Sequence, residues 1–306
     1  MRRLSTAAVA SLLIVGLLWS CDRDREVTIS FTGDVLLDRG VREQMDREGK
    51  EAFYDAIKSQ LPPSDFLVGN LECPITETGS PVFKRFVFRG DTANLPFLKS
   101  LGFTHFTLAN NHAYDYGRQG LRQTAQGLLE HLMVPMGWGI DPEIACEPFL
   151  IRSGDLDIFL FSSVWLKLEN WMPLSNDIAI CQERHLQLGE RIKDLKKNHP
   201  GAIVIVNLHW GREYAEKPMP DQVQQAHHLI DQGADAIIGH HPHVLQPKEM
   251  YKGKPIYYSL GNFIFDQDCE PCQQTQLVTL HINNQQVTST ELEMQIIDCK
   301  PVRKEK

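Results

Sequence analysis

Short apolar runs rich in β-branched and aromatic residues alternate along the chain with longer segments whose apolar residues recur at helical spacing. The runs predict buried strands, and the period of about 3.6 residues predicts amphipathic helices between them. We predict strands at residues 27–31, 66–68, 104–108, 158–161, 203–208, 236–238, 256–258 and 277–281. The clearest helices are predicted at residues 120–132, 183–197 and 221–232. This alternation predicts one α/β domain over residues 26–298.

The first twenty residues depart from this pattern and have the features of an export signal. Two arginines precede an apolar stretch at residues 7–18, which has the length of a signal-peptide core and is short for a membrane span. The sequence Leu-Trp-Ser-Cys follows at 18–21 and resembles the lipobox of bacterial lipoproteins, whose cysteine is acylated. Residues 1–20 are therefore predicted to be a lipoprotein signal peptide, with Cys21 lipidated and the domain held at the cell envelope. An uncleaved anchor and a cleaved soluble protein are the alternatives.

Polar side chains collect directly after five of the predicted strands. Asp34 follows the first strand, and the other clusters lie at residues 69–72, 109–115, 207–211 and 239–243. Because active sites of open α/β sheets form outside the carboxyl ends of the strands, these clusters are expected to converge on one crevice. Carboxylates, amide oxygens and imidazoles suit manganese, zinc or iron, whereas calcium would need more oxygen ligands. The sequence therefore predicts a site for one or two divalent metal ions.

Glycine accompanies four of these five clusters, at positions 33, 69, 211 and 239. Glycine tolerates backbone conformations that are closed to other residues. We predict that these glycines let the backbone turn sharply where the strand ends meet the metal.

Six motifs occur in the order GDV, GNLE, ANNHAYDYG, HWGREY, GHHPHV and SLGNFIFD, and the similarity extends over residues 27–266. This series resembles the CapA family of bacterial poly-γ-glutamate and capsule synthesis proteins. That family is related to the calcineurin-like metallophosphoesterases. The resemblance implies an α/β fold in which two β-sheets pack as a sandwich flanked by helices.

The same resemblance implies a role for each motif residue. His112 resembles the catalytic histidine. Residues that resemble metal ligands are Asp34, Glu72, Asn111, His209, His241 and His243, with Glu72 in the place of the carboxylate that bridges two ions. Residues expected to contact substrate or support the ligands are Asn110, Asp115, Glu213, His240 and Asn262. Arg89 is a further candidate. The alternative for Arg89 and Glu213 is a solvated surface charge, and the alternative for Asp115 and Asn262 is a turn-stabilising residue.

Two positions differ from the pattern of many metallophosphoesterases. The first motif, Asp34-Val35-Leu36, lacks the histidine of an Asp-x-His sequence, and Glu72 replaces an aspartate. One of two metal positions is therefore expected to have fewer protein ligands.

The resemblance implies a role in the biosynthesis of poly-γ-glutamate or a capsule polymer. One expected function is a metal-dependent hydrolase or transferase of phosphoesterase type, in which His112 moves a proton. The alternative is a non-catalytic metal-binding subunit of a polymer synthesis or export complex. Expected partners are an anionic envelope polymer or its precursor, the membrane through a lipid anchor, and capsule synthesis proteins. The formal net charge of −8 argues against nucleic acid.

Six cysteines remain besides Cys21. An even number outside the cytoplasm permits disulfides without specifying their pairing. A structural zinc site normally needs four ligands, and the chain has a single Cys-x-x-Cys sequence, at 269–272. A local disulfide or unpaired thiols are therefore predicted there.

Overall fold

The computed structural model describes residues 26–169 and 176–304. The predicted signal peptide and Cys21 lie outside the described residues. Within those two ranges, no helix combines the length and apolar character needed to cross a membrane. Each predicted strand and each of the three predicted helices has a counterpart in the structure, with ends shifted by a few residues.

The described residues form sixteen strands and seven α-helices. The strands are β1 Val27–Val35, β2 Phe66–Leu71, β3 His105–Thr107, β4 Val134–Met136, β5 Trp138–Gly139, β6 Phe149–Ser153, β7 Leu156–Val164, β8 Ala179–Ile180, β9 Ile203–His209, β10 Ala236–His240, β11 Lys248–Tyr251, β12 Lys254–Tyr257, β13 Asn262–Ile264, β14 Gln274–Asn283, β15 Gln286–Ile297 and β16 Lys300–Arg303. The helices are α1 Arg39–Glu48, α2 Lys50–Lys58, α3 Leu95–Ser100, α4 Gly117–Glu130, α5 Pro142–Ala145, α6 His185–Asn198 and α7 Pro220–Asp231.

Two large sheets form the sandwich that the resemblance implied. The eight-stranded sheet has the order β16-β15-β14-β1-β2-β3-β4, and β13 also pairs with β1. The six-stranded sheet has the order β11-β12-β10-β9-β7-β6. The middle strands of each sheet are parallel, whereas the hairpins at one edge of the first sheet and at both edges of the second are antiparallel. Strands β5 and β8 form a separate two-stranded sheet.

Three apolar clusters explain why these layers stay together. The cluster between the two sheets contains residues such as Phe31, Leu160 and Ile238, which are all nearly or fully buried. A second cluster packs α1 to α4 against the outer face of the first sheet, and a third packs α6 and α7 against the second. Strand β9 is buried along its whole length because it contributes to the sandwich on one face and to a helix layer on the other.

The register of the parallel strands brings the polar clusters to one edge of the sandwich. Asp34 in β1 pairs with Asn70 in β2 and with Asn262 in β13. In the second sheet, His209 at the end of β9 pairs with His240 at the end of β10. The carboxyl ends of both sheets therefore supply the side chains of a single crevice.

Disulfides account for four of the six cysteines besides Cys21. Cys146 bonds to Cys181, and Cys269 bonds to Cys272. Cys73 and Cys299 are free thiols. The local disulfide is thus the alternative that the structure adopts at 269–272.

Candidate metal centre

Asp34 is held at an irregular end of β1. The pairing of β1 with β2 shifts register between Phe31 and Asp34, and the Asp34 carboxyl is fully buried. Its Oδ1 accepts a hydrogen bond of 2.8 Å from the side-chain amide of Asn70. Its Oδ2 accepts a longer one, 3.3 Å, from the backbone amide of His241. Asp34 therefore connects the first sheet to the loop after β10.

Glu72 lies at the centre of the cluster, one residue beyond the end of β2. Its Oε1 is 3.6 Å from Nε2 of His243 and 3.8 Å from Nε2 of His209. The side chain is fully buried, and neither carboxylate oxygen accepts a hydrogen bond within the described part of the chain. Glu72, His241 and His243 each offer one ligand atom, and these three atoms lie within 4.8 Å of one another.

His209 links the amide residues of the first sheet to the second sheet. Its Nε2 is 2.8 Å from Oδ1 of Asn111, and its Nδ1 is 3.2 Å from Nδ2 of Asn70. Because an amide nitrogen donates and an amide oxygen accepts, this pattern fits a ring with its hydrogen on Nε2. Asn110 supports the same network, since its Nδ2 donates to the Leu71 carbonyl over 2.8 Å.

The loop His241-Pro242-His243 adopts an uncommon backbone. His241 has a φ of 97° and His243 a φ of 59°, in a region that side chains with a Cβ rarely occupy. Such strain persists where surrounding contacts hold it, and it concentrates at ligand-binding positions. Here Nδ1 of His243 is 3.0 Å from Oδ1 of Asn262 and 3.3 Å from Oδ2 of Asp34. His240 lies beside the cluster, with Nδ1 3.4 Å from Oδ1 of Asp34.

The charged groups of the cluster shift one another's pKa values. Burial opposes ionisation of Asp34, but hydrogen bonds and positive charge from His240 and His243 hold its pKa well below the usual range. Burial also opposes protonation of His243, but the charge of Glu72 and the contact with Asp34 raise its pKa to about 9. Asp34 and His243 therefore form a buried ion pair. A divalent cation would compete with the proton of His243 for these carboxylates.

Burial has the largest effect on the pKa values of the remaining titratable ligands. It raises the pKa of Glu72 well above the usual value, and it lowers the pKa of His209 well below. Burial together with the charge of His243 lowers the pKa of His241 to about 3, so this imidazole is neutral at physiological pH. The neutral imidazoles of His209 and His241 and the unpartnered oxygens of Glu72 are groups that bind divalent transition metals. The residues present therefore fit a divalent metal ion.

His112 lies beside this cluster and is positioned by different contacts. Its Nδ1 is 2.7 Å from Oδ2 of Asp115, and its backbone amide donates to Oδ1 of Asn110 over 3.0 Å. Lys84 forms an ion pair with Asp115 and donates to the Asn111 carbonyl over 2.9 Å. The ring of Phe88 stacks on His112 with centroids 4.1 Å apart. Burial lowers the pKa of His112, although Asp115 acts in the opposite direction.

The structure brings together eleven of the twelve residues for which the resemblance implied a role. Glu213 is the exception, because its side chain is exposed and only its charge reaches Glu72. Asn70, which lies in the predicted cluster at 69–72 but was given no role of its own, also contacts the site. Lys84 and Phe88 contact the site as well and were not predicted, since both lie outside the strand-end clusters.

The predicted role of the glycines is wrong for at least two of the four. Only Gly211 among them has a positive φ, of 91°. A Cβ on Gly33 would lie 2.1 Å from the Gly261 carbonyl oxygen, and a Cβ on Gly239 would lie 2.0 Å from the Tyr258 carbonyl oxygen. These two glycines therefore allow close approach of neighbouring backbones and do not provide a turn.

Gly33→Ala is expected to lower the free energy of unfolding by about 1–3 kcal/mol, because the methyl group must displace backbone at the end of β1. Urea unfolding of the purified domain measures the change. Gly201→Ala is the matched control, since its Cβ would meet only the flexible end of Gln285, at 3.2 Å. Equal stability of the two variants would contradict the close-approach interpretation.

Comparison with known sequences decides the family. The profile described as "Bacterial capsule synthesis protein PGA_cap" matches residues 28–267. The chain belongs to this family. Among its relatives, the capsule biosynthesis protein CapA of Bacillus anthracis is 31% identical over 274 residues, covering 85% of this chain and 65% of that protein. The PGA biosynthesis protein CapA of Bacillus subtilis strain 168 is 30% identical over 262 residues, covering 85% of this chain and 68% of that protein.

The resemblance to CapA inferred from the six motifs is therefore confirmed. This member of the PGA_cap family spans about two thirds of the length of those two relatives. Solved structures confirm the predicted fold class. A phosphatase from Mycoplasma pneumoniae superposes with a TM-score of 0.51 at 12% identity, over 88% of this chain and 94% of that chain. A hypothetical protein from Thermus thermophilus gives a TM-score of 0.52 at 15% identity, over 87% of this chain and 99% of that chain.

Proposed function

We propose that this PGA_cap protein is a metal-dependent hydrolase or transferase, anchored in the cell envelope, that acts in poly-γ-glutamate or capsule polymer biosynthesis. The observation that carries the proposal is the buried group of Glu72, His241 and His243, with His112 beside it. The CapA relatives support the pathway, because their names place them in capsule and PGA biosynthesis.

The metal would be held by side chains from both sheets. The proposed ligands are Asp34, Glu72, Asn111, His209, His241 and His243. Manganese, zinc or iron suits this mixture of oxygen and imidazole donors, in one or two positions. When bound, the metal supplies Lewis acidity that polarises a phosphoryl or carbonyl oxygen.

His112 is proposed to move the proton in the reaction. Because a carboxylate accepts, the contact of 2.7 Å with Asp115 assigns a hydrogen to Nδ1 and fixes the ring orientation. The stacked ring of Phe88 excludes water from one face of the imidazole. Nε2 is then the atom that would hold the proton taken by the leaving group.

The test combines metal analysis with turnover on the same purified sample. We expect bound manganese, zinc or iron, and hydrolysis of either a generic phosphodiester or a γ-glutamyl amide. A chelator should abolish this turnover, and added metal should restore it. Glu72→Ala is expected to lose both metal and turnover. A wild-type protein that binds no divalent metal would refute the proposal.

A second candidate is a non-catalytic metal-binding subunit of a polymer synthesis or export complex. Leu36 favours it, since this fully buried leucine occupies the position at which many metallophosphoesterases have a histidine. One of two metal positions then has fewer ligands from the protein. Stoichiometric metal without turnover on phosphoester and γ-glutamyl substrates would favour this candidate.

The envelope location is proposed from the sequence at 18–21. Cys21→Ala is expected to remove the lipid from the protein and to change its partition into membranes, because the thiol is the site of acylation. Mass measurement and membrane fractionation of expressing cells check this prediction. Cys299→Ala removes a different free thiol and should leave both measurements unchanged. Unchanged mass and partition in Cys21→Ala would contradict the anchor.

A further inference from the structure

Residues 81–90, here named the site loop, are fixed to the residues around His112. The backbone amide of Val82 donates to the Asp115 carbonyl over 2.9 Å, and that of Phe88 donates to Oδ2 of Asp115 over 2.7 Å. The side chain of Lys84 is almost completely buried and pairs with the same aspartate. The loop therefore has a defined position at the candidate metal centre.

The tip of the site loop lies beside His112. Nζ of Lys84 is 3.2 Å from Nδ1 of His112, and Phe88 stacks on the same ring. Only residues 85–87 separate these two contacts. Because consecutive Cα atoms are about 3.8 Å apart, Arg85 cannot be far from the imidazole. Arg85 is exposed and follows Lys84 directly, so its charge reaches the solvent close to His112.

The site loop carries positive charge that the protein does not neutralise. Neither Arg85 nor Arg89 forms an ion pair with any residue in the described ranges. Arg85 lies over the ring of Phe86 at 4.9 Å, and Arg89 lies over the ring of Tyr116 at 5.3 Å. In a chain with a net charge of −8, two exposed arginines beside a buried site form a local attraction for anions.

Tyr214 is an exposed aromatic residue beside the proposed ligand His243. Its ring is 6.3 Å from that of the proposed ligand His243, and the side chain is 54% exposed. A third arginine, Arg39, lies over the ring of Phe88 at 4.5 Å but pairs with Asp266, so it contributes less free charge than Arg85 and Arg89.

The arrangement suits repeated charges better than one small anion. Arg85 and Arg89 stack on different rings, so their guanidinium groups occupy two separate points and do not converge on a single pocket. A guanidinium binds carboxylate or phosphate through two parallel hydrogen bonds. The exposed ring of Phe86 adds an apolar contact beside the charge of Arg85, which suits a polymer with a hydrocarbon backbone between its carboxylates.

We propose that Arg85 and Arg89 form a subsite that binds successive carboxylates of an anionic polymer and guides it to the metal centre. This inference rests on the proposed function and names the substrate class of that site. Glu213 is exposed and its charge reaches Glu72, so it opposes the binding of anions at the metal centre. The arginines are therefore expected to supply the electrostatic attraction for the polymer.

The test is the affinity of the metal-loaded protein for fluorescent poly-γ-glutamate, measured by anisotropy at several salt concentrations. The variant Arg85→Gln with Arg89→Gln is expected to bind about 3- to 30-fold more weakly and with a weaker dependence on salt. The matched control is Lys58→Gln with Lys197→Gln. It removes two exposed charges that precede the amino ends of β2 and β9, whereas the site lies at the carboxyl ends of these strands. This control should change the affinity by less than about 2-fold.

Arg85→Lys with Arg89→Lys retains both charges and should recover part of the affinity, which separates charge from loss of folding. Equal affinity of the wild type and the glutamine variant would overturn the subsite. A parallel titration with polyphosphate distinguishes carboxylate from phosphate, and arginine-dependent binding of polyphosphate alone would overturn the assignment to carboxylates. Metal content and turnover are measured on the same wild-type sample. Arginine-dependent binding without either would sink the proposed function and still support the subsite.

Discussion

Replacing His112 by alanine is expected to lower turnover by about 10²–10⁴-fold while the protein keeps its metal and its fold. His112 contacts Asp115 and Phe88, whereas the grouped ligand atoms belong to Glu72, His241 and His243. Removing the imidazole therefore removes a proton donor without removing a ligand. Metal content and rate, measured on one preparation, check both halves of this expectation.

Asn111, which precedes His112, provides a contrasting variant because it is a proposed metal ligand. Asn111→Ala removes the amide oxygen that lies 2.8 Å from Nε2 of His209, so this variant is expected to lose metal as well as activity. His281→Ala is the control for loss of a histidine, because His281 lies on β14 and contacts Glu26 and Thr290. A metal-free His112→Ala would make His112 a ligand and reverse the assignment of the pair. Full activity in His112→Ala would instead favour the binding subunit.

Removal of metal is expected to lower the melting temperature of the wild type by about 10 °C. A ligand present at about 1,000 times its dissociation constant adds about 4 kcal/mol to the stability of the folded state. For a domain of this size, each kcal/mol corresponds to about 2–4 °C. Because Glu72 follows β2 and the paired histidines follow β10, the metal would join the two sheets. Thermal unfolding with and without chelator measures the effect.

The double variant His241→Ala with His243→Ala is expected to respond much less to the chelator. It loses two ligands of the grouped three, so little metal remains to be removed. The variant His227→Ala with His228→Ala removes two histidines from α7 and should retain the wild-type response. If the chelator lowers the melting temperature of the wild type and the His241, His243 variant equally, these residues are not the ligands.

The hydrophobic pattern predicted the fold class because the central strands are apolar on both faces. Strand β9 is the clearest case, since all seven of its residues are buried. The pattern did not predict β15, because that strand exposes much of its length and so has few apolar positions to mark it. The start of α4 was predicted three residues late, since no side chain caps that helix and the sequence carries no capping signal.

The candidate site was predictable for a related reason. Its residues follow parallel strands, and parallel strands place their carboxyl ends at one edge. The sequence could name Asp34 and His243, but it could not show that these two side chains form an ion pair across the sandwich. Lys84 lies outside every predicted strand-end cluster. It pairs with Asp115 because the site loop folds over the residues around His112. Such contacts depend on tertiary structure and leave no local pattern.

Strand β1 begins the described domain, yet its antiparallel neighbour is β14, with Val27 opposite Ile282. The two partners are separated by nearly the whole chain, and the first sheet stays incomplete until β14 is available. Contacts of this sequence separation slow folding, because a large loop must close before the pairing contributes any stability. During synthesis, the ribosome would therefore release an almost complete chain before β1 could pair with β14. The order of strands therefore keeps the emerging polypeptide from completing this sheet until its synthesis is nearly finished.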